Sequence, residues 1–149
     1  MSDRGPASVV ALWSKRAHRG PMDPLSEATL VADKGMQGSV GNSRRRQVTL
    51  VSLESWLAAT AELGTEVDPI ARRANILLTG VDLENTREQI LRIGDARLAI
   101  GGETTPCERM DEAEPGLRGA LRARWRGGTF AQVLTGGIIR VGDAVSWEK

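Results

Sequence analysis

The sequence predicts a mostly β domain, a largely antiparallel β-barrel with a few short helices inserted between strands. Segments of strand character outnumber the two segments with helical periodicity. They do not alternate with helices in the βαβ rhythm of a parallel sheet. Two stretches, Ile90-Leu91-Arg92-Ile93-Gly94-Asp95-Ala96 and Ile138-Ile139-Arg140-Val141-Gly142-Asp143-Ala144, each read as strand, Gly-Asp turn and return strand, so a sheet closing on itself is expected. Their likeness is read as shared turn chemistry rather than duplication.

Ala7 to Trp13 is a β-branched, apolar run bounded by Pro6 and by a basic segment reaching Met22, and it predicts the first strand. A weaker strand follows at Ala28 to Ala32. Residues 34–43 carry glycines and no apolar period, which predicts a loop able to bring backbone N–H groups to an anion or simply to connect. Arg44, Arg45 and Arg46 lead into Gln47-Val48-Thr49-Leu50-Val51, whose alternation suits a half-buried strand. Ser52 is placed to cap a helix with Leu53, Trp56, Leu57, Thr60 and Leu63 on its inner stripe, stopped by Gly64. Asp68-Pro69 reads as a second cap opening a single turn, and Ala74 to Gly80 as a strand with Arg73 and Asn75 on the same side at its entrance. Further on, Leu117, Ala120, Leu121 and Trp125 predict a helix with Arg118, Arg122 and Arg126 together on its outer side. Gly127-Gly128 ends it before the closing strands at 129–134 and 137–147.

At 149 residues the chain suits one domain, spanning 1–149 with a disordered stretch at 1–6, large enough for a core without metal or disulfide staples. A net formal charge of +1 gives no reason to expect nucleic acid or a membrane surface as partner. No apolar run approaches the roughly eighteen residues of a membrane span, and the chain is read as cytoplasmic with its thiol reduced. One histidine and one cysteine exclude a Cys/His zinc site and a cysteine-ligated iron–sulfur cluster built from this chain alone.

That cysteine, Cys107, lies in Gly101-Gly102-Glu103-Thr104-Thr105-Pro106-Cys107-Glu108-Arg109-Met110. Thr105, Pro106 and Glu108 match a capping box with proline at the first helical position. Cys107 would then sit in a first helical turn, where orphan N–H groups and the cation of Arg109 favour a thiolate. A reactive or metal-binding sulfur and a buried cysteine packed as a small hydrophobe are both compatible with this stretch.

Several fragments resemble one family. They are Arg46-Gln47-Val48-Thr49-Leu50; Arg73-Ala74-Asn75-Ile76 followed by Gly80-Val81-Asp82-Leu83; Leu91 to Ala96; Pro106-Cys107; and Gly136-Gly137 leading to Val141-Gly142-Asp143. In this order they resemble the MOSC domain, named for the C-terminal domain of molybdenum cofactor sulfurases, and they cover nearly the whole chain as a standalone MOSC domain would. The resemblance implies a MOSC-type β-barrel. It implies that Cys107 either ligates molybdenum of a molybdopterin cofactor, as in reductases of N-hydroxylated compounds, or carries sulfur as a persulfide. A thiolate is a soft donor suited to a dithiolene-held metal and also a sulfur acceptor. The phosphate of the cofactor, or its nucleotide form, needs cations and backbone donors, and Arg73, Asn75, Arg46 and Arg45 are the candidates.

Several departures follow from the same comparison. Members often carry Gly-Asp where this chain has Gly38-Ser39. No flavin or iron–sulfur module accompanies the domain, so a reductase acting on a small-molecule substrate would need separate electron-transfer proteins, and a sulfur carrier a cysteine desulfurase. Pyridoxal phosphate is not expected, because neither Lys15 nor Lys34 has a recognisable Schiff-base context. His18, in a basic loop, is read as facing solvent. A noncatalytic binding module that keeps only the barrel is the remaining alternative.

Overall fold

The computed structural model describes residues 7–148; the expected disordered stretch 1–6 lies outside the described residues. In chain order the elements are β1 (Ser8–Lys15), β2 (Met22–Leu25), β3 (Glu27–Val31), β4 (Gly35–Met36), β5 (Val48–Ser52), α1 (Leu53–Leu63), a 3-10 turn (Pro69–Arg72) and β6 (Ile76–Thr79). There follow β7 (Ile90–Ile93), β8 (Ala96–Glu103), α2 (Arg109–Ala113), α3 (Leu117–Ala120), a second 3-10 turn (Ala123–Trp125), β9 (Thr129–Thr135), β10 (Gly137–Arg140) and β11 (Val145–Trp147). The chain is mostly β. Strands β11-β7-β8-β9-β5-β6-β1-β2 form one sheet and β10-β3-β4 a smaller one. Among the described residues β5 and β6 make the one parallel pairing, and α1 is the crossover that such a pairing requires.

The parallel pair is buried on both faces, which explains its unbroken apolar sequence. Ile76 and Leu78 face the main core with Leu12, Leu30, Leu50, Leu91, Leu98 and Ile139. Leu77 points the other way, to Trp13, Met22, Val51 and Ala74. A third cluster of Trp56, Ala59, Met110, Leu117 and Leu121 holds the helices together.

The expected barrel is not closed by a strand ladder. Its ends meet at one corner, where Val9 N donates to Asp143 O (3.0 Å), Gly142 N to Val9 O (2.8 Å) and Val145 N to Ala7 O (3.0 Å). The seam stops there because β1 gives its next residues, Leu12 to Lys15, to β2.

Local signals predicted several boundaries. Ser52 Oγ accepts from Ser55 N at the start of α1, a left-handed Gly64 ends it, and Asp68 Oδ1 accepts from Ile70 N before Pro69. Three expectations fail. Leu57 is 54% exposed, and Ala59 takes its place on the buried stripe of α1. The second hairpin does not form: β10 pairs with β3 and β11 with β7, because the chain after Asp143 crosses to β1 instead of folding back. The helix expected through Trp125 ends at Ala120, since Arg124 and Trp125 take left-handed φ values of 53° and 57°. The arginine stripe is thereby dispersed. Arg126 pairs with Glu62, and Trp125 lies beneath the Arg87 guanidinium at 5.4 Å rather than in the core.

Candidate functional site

The last residue of β1, the glycine loop, β5, the first 3-10 turn and the segment before α2 converge on a cavity of about 240 Å³. Its lining includes Lys15, Arg46, Arg72, Arg73, Cys107 and Arg109, and no aspartate or glutamate. Five cations therefore surround one sulfur, an arrangement that attracts an anion.

Cys107 is exposed, so the reading of a buried packing cysteine is set aside. The expected capping box is also absent. Thr104 N donates to Gly128 O at 2.9 Å, and Thr104 O accepts from Arg72 Nη2 at 3.1 Å. These bonds hold the chain extended, and α2 begins only at Arg109 with no side-chain cap. Cys107 thus stands one residue before the N-cap, its carbonyl accepting from Met110 N at 3.0 Å. Its placement comes from tertiary hydrogen bonds, not from a helical turn.

Arg73 closes the 3-10 turn in a left-handed conformation, φ 63°, with its N–H donating to Ile70 O. An arginine at positive φ is strained, and such strain gathers at functional positions. Its Nη2 is buried with no hydrogen-bond partner among the described residues. Burial lowers the Arg73 pKa, Arg109 and Arg19 lower it further, and Cys107 opposes them. Arg72, 8% exposed, donates from Nε to Gly127 O (2.6 Å) as well as to Thr104 O. Burial lowers its pKa, again opposed by Cys107.

Asn75 lines the cavity, but its amide is committed to the fold. Oδ1 accepts from Thr49 N (3.1 Å), while Nδ2 donates to Trp13 O and to Ser39 Oγ (both 3.2 Å). Ser39 Oγ also accepts from Lys15 N at 2.9 Å, so the serine fastens the glycine loop to β1. The loop does not offer all its amides outward: Ser39 N and Val40 N are spent on Met36 O and Lys15 O. Gly41, at φ 84°, leaves room for the lysine, since a Cβ there would lie 3.3 Å from Lys15 Nζ.

Arg46 lines the cavity, whereas Arg45 lies outside it, over Phe130 in a neighbouring recess. His18 is exposed and does not line the cavity. Sequence reasoning missed Lys15 and Arg72 as members of the site. Lys15 lies at the end of β1, beyond the apolar run to Trp13 that foretold only a strand, and Arg72 reaches the site through carbonyls 32 and 55 positions away. Burial, then Arg73 and Arg109, lowers the Lys15 pKa. Among the described residues no group of three or more His, Cys, Asp or Glu could hold a bare metal ion, and no helix is long and apolar enough to cross a membrane.

A family model described as MOSC domain matches residues 15–146. No curated protein matches the chain. Among solved structures, the YuaD protein from Bacillus subtilis has a TM-score of 0.79 at 20% identity, covering 97% of each chain. YiiM from Geobacillus stearothermophilus has a TM-score of 0.75 at 15% identity, covering 97% of this chain and 76% of that one. YiiM from Escherichia coli has a TM-score of 0.70 at 17% identity, covering 99% and 71%. Identities this low speak for a common fold.

Proposed function

The chain belongs to the MOSC domain family, and from that premise we propose that it binds a molybdenum cofactor in which Cys107 ligates the metal. The observation that carries the reading is the exposed Cys107 beside a carboxylate-free cavity lined by Lys15, Arg46, Arg72, Arg73 and Arg109. The donor set fits such a group. A lone thiolate cannot hold a bare ion, but it can complete the shell of a metal that arrives with its own dithiolene sulfurs. The unpartnered Nη2 of Arg73 suits a phosphate oxygen. Bound there, the cofactor would supply redox chemistry towards a small-molecule substrate such as an N-hydroxylated compound, with electrons from separate partner proteins in the cytoplasm.

The chain's own residues bind and orient. Lys15, Arg73 and Arg109 neutralise the anionic part of the ligand, with Arg46 at the cavity wall. Arg72 fixes the Thr104 carbonyl in the segment before Cys107 together with the Gly127 carbonyl, and Asn75 fixes the cavity wall through Thr49. Metal analysis after expression in a host that makes the cofactor tests the reading. Stoichiometric molybdenum in the parent and its loss in Cys107→Ala are expected; an empty parent protein overturns it.

The exposure of Cys107 also favours a second reading, sulfur carriage without molybdenum. The Cys107 thiolate attacks the terminal sulfur of a persulfide on a cysteine desulfurase, forming Cys107–S–S⁻ and releasing the donor thiolate. A gain of one sulfur atom on Cys107 by mass spectrometry is then expected, and an unmodified thiol after incubation with the desulfurase rejects it.

A further inference from the structure

Beside the Cys107 cavity a second recess of about 430 Å³ is lined by Ser43, Arg44, Arg45, Arg46 and Phe130. Among the described residues none of its three arginines is in an ion pair. Like charges held this close repel, so a loop serving only as a solvated connection would be expected to let them splay apart.

Here the loop backbone is fixed, and two of the three guanidinium groups rest on one ring. Ser43 N donates to Arg46 O (3.0 Å) and Arg46 N to Ser43 Oγ (3.1 Å), closing the turn. Arg44 O accepts from Gln47 Nε2 (3.0 Å), just before β5, and from Gln132 Nε2 (3.2 Å), which anchors the loop to β9. The Arg46 and Arg45 guanidinium carbons stand 5.0 and 5.8 Å from the Phe130 ring centroid. A guanidinium over a ring keeps its N–H edge free for a planar or tetrahedral oxyanion.

The ring is itself held in place by the glycine pair that precedes the cysteine. A Cβ at Gly101 would lie 2.5 Å from Phe130 Cε1, and one at Gly102 would lie 3.3 Å from Phe130 Cζ. Those positions are glycine so that the ring can lie against the backbone of β8. The support thus runs from Gly101 and Gly102 through Phe130 to two stacked guanidinium groups.

We propose that this recess is a second oxyanion subsite, in which Arg44, Arg45 and Arg46 bind the diphosphate group of a small phosphate ester. It goes beyond the function proposed above, because nothing in it requires Cys107 or a metal. Arg46 lines both cavities, so a ligand held at one can extend to the other. Two adjacent phosphates suit the arrangement better than one, since three cations outnumber the charge of a single phosphate.

Inorganic pyrophosphate is the probe, titrated at low ionic strength into the full chain and followed by backbone amide resonances. Signals of residues 43–47 report this recess and those of residues 104–110 report the Cys107 cavity. Saturable shifts at residues 43–47 are expected. The midpoint should rise at least about tenfold in the double variant Arg44→Gln/Arg45→Gln, about 1.4 kcal/mol. The surface control Arg122→Gln should leave it unchanged. Absence of saturable shifts at residues 43–47 overturns the proposal, as does an unchanged midpoint in the double variant or an equal loss in Arg122→Gln. Tighter binding of a single-stranded RNA through Arg44 and Arg45 overturns it in favour of a nucleic-acid surface. A protein that lacks molybdenum yet shows the expected pyrophosphate titration separates the failure of the cofactor reading from this one.

Discussion

Asn75 Nδ2 donates to Ser39 Oγ at 3.2 Å, joining the entrance of a buried strand to the glycine loop 36 positions earlier in the chain. The same nitrogen donates to Trp13 O, and Oδ1 accepts from Thr49 N, so one side chain pins three segments at the back of the cavity. Asn75→Asp retains the acceptor for Thr49 N but turns a carboxylate oxygen towards the Trp13 carbonyl and withdraws both donors. A loss of about 2–3 kcal/mol is expected in urea unfolding, because a buried carbonyl is left without its partner. A variant as stable as the parent would mean that the loop is held elsewhere.

What the sequence disclosed and what it concealed divide by distance along the chain. Ser52, Gly64 and Asp68 act within four residues of their positions, and their caps were readable as spelled. The strand at 76–79 was readable from its apolar run because both faces are buried. Thr105 to Glu108 spells a capping box equally well, but the bonds that Thr104 N donates to Gly128 O and Thr104 O accepts from Arg72 overrule it. The Gly142-Asp143 turn forms, since Arg140 N donates to Asp143 Oδ2, yet the choice between folding back and crossing to β1 is made by Val9. Cys107, Arg73 and Arg46 were identified from motif resemblance. The cavity's charge balance was not, because Lys15 and Arg72 join the others only through tertiary contacts.

Arg72 presents two opposing terms. Its burial disfavours the charge, as the lowered pKa indicates. Its two charge-assisted hydrogen bonds to Gly127 O and Thr104 O favour it. Arg72→Met removes the burial cost but leaves two inward carbonyls unpaired, and the second effect dominates because each buried carbonyl without a donor costs its full desolvation penalty. A destabilisation of about 1–3 kcal/mol is expected, read as a lower Tm. Arg72→Lys should recover only part of it, since an ammonium lacks the fork that spans both acceptors. Full recovery by lysine would show that charge, not geometry, holds the Cys107 segment.

Lys15 gives the site a pH dependence whose sign is fixed by its surroundings. Burial first, then repulsion from Arg73 and Arg109, lowers its pKa from the ordinary 10.5. The unfolded chain has neither effect, so below the folded pKa the fold must carry a disfavoured charge and loses stability. As pH rises from the folded pKa towards 10.5, the folded protein releases a proton that the unfolded chain still holds, and this penalty disappears. Lys15→Met never bears the penalty. Its stability relative to the parent, from urea unfolding across a pH series, should therefore be highest at neutral pH and decline through the alkaline range. An anion bound in the cavity acts in the opposite direction, because it favours the charged lysine. Phosphate binding should accordingly take up protons in the alkaline range, seen as a buffer-dependent heat in calorimetry, and its affinity should fall as pH rises. A parent and variant with parallel pH profiles would place the Lys15 ammonium in solvent, away from Arg73 and Arg109.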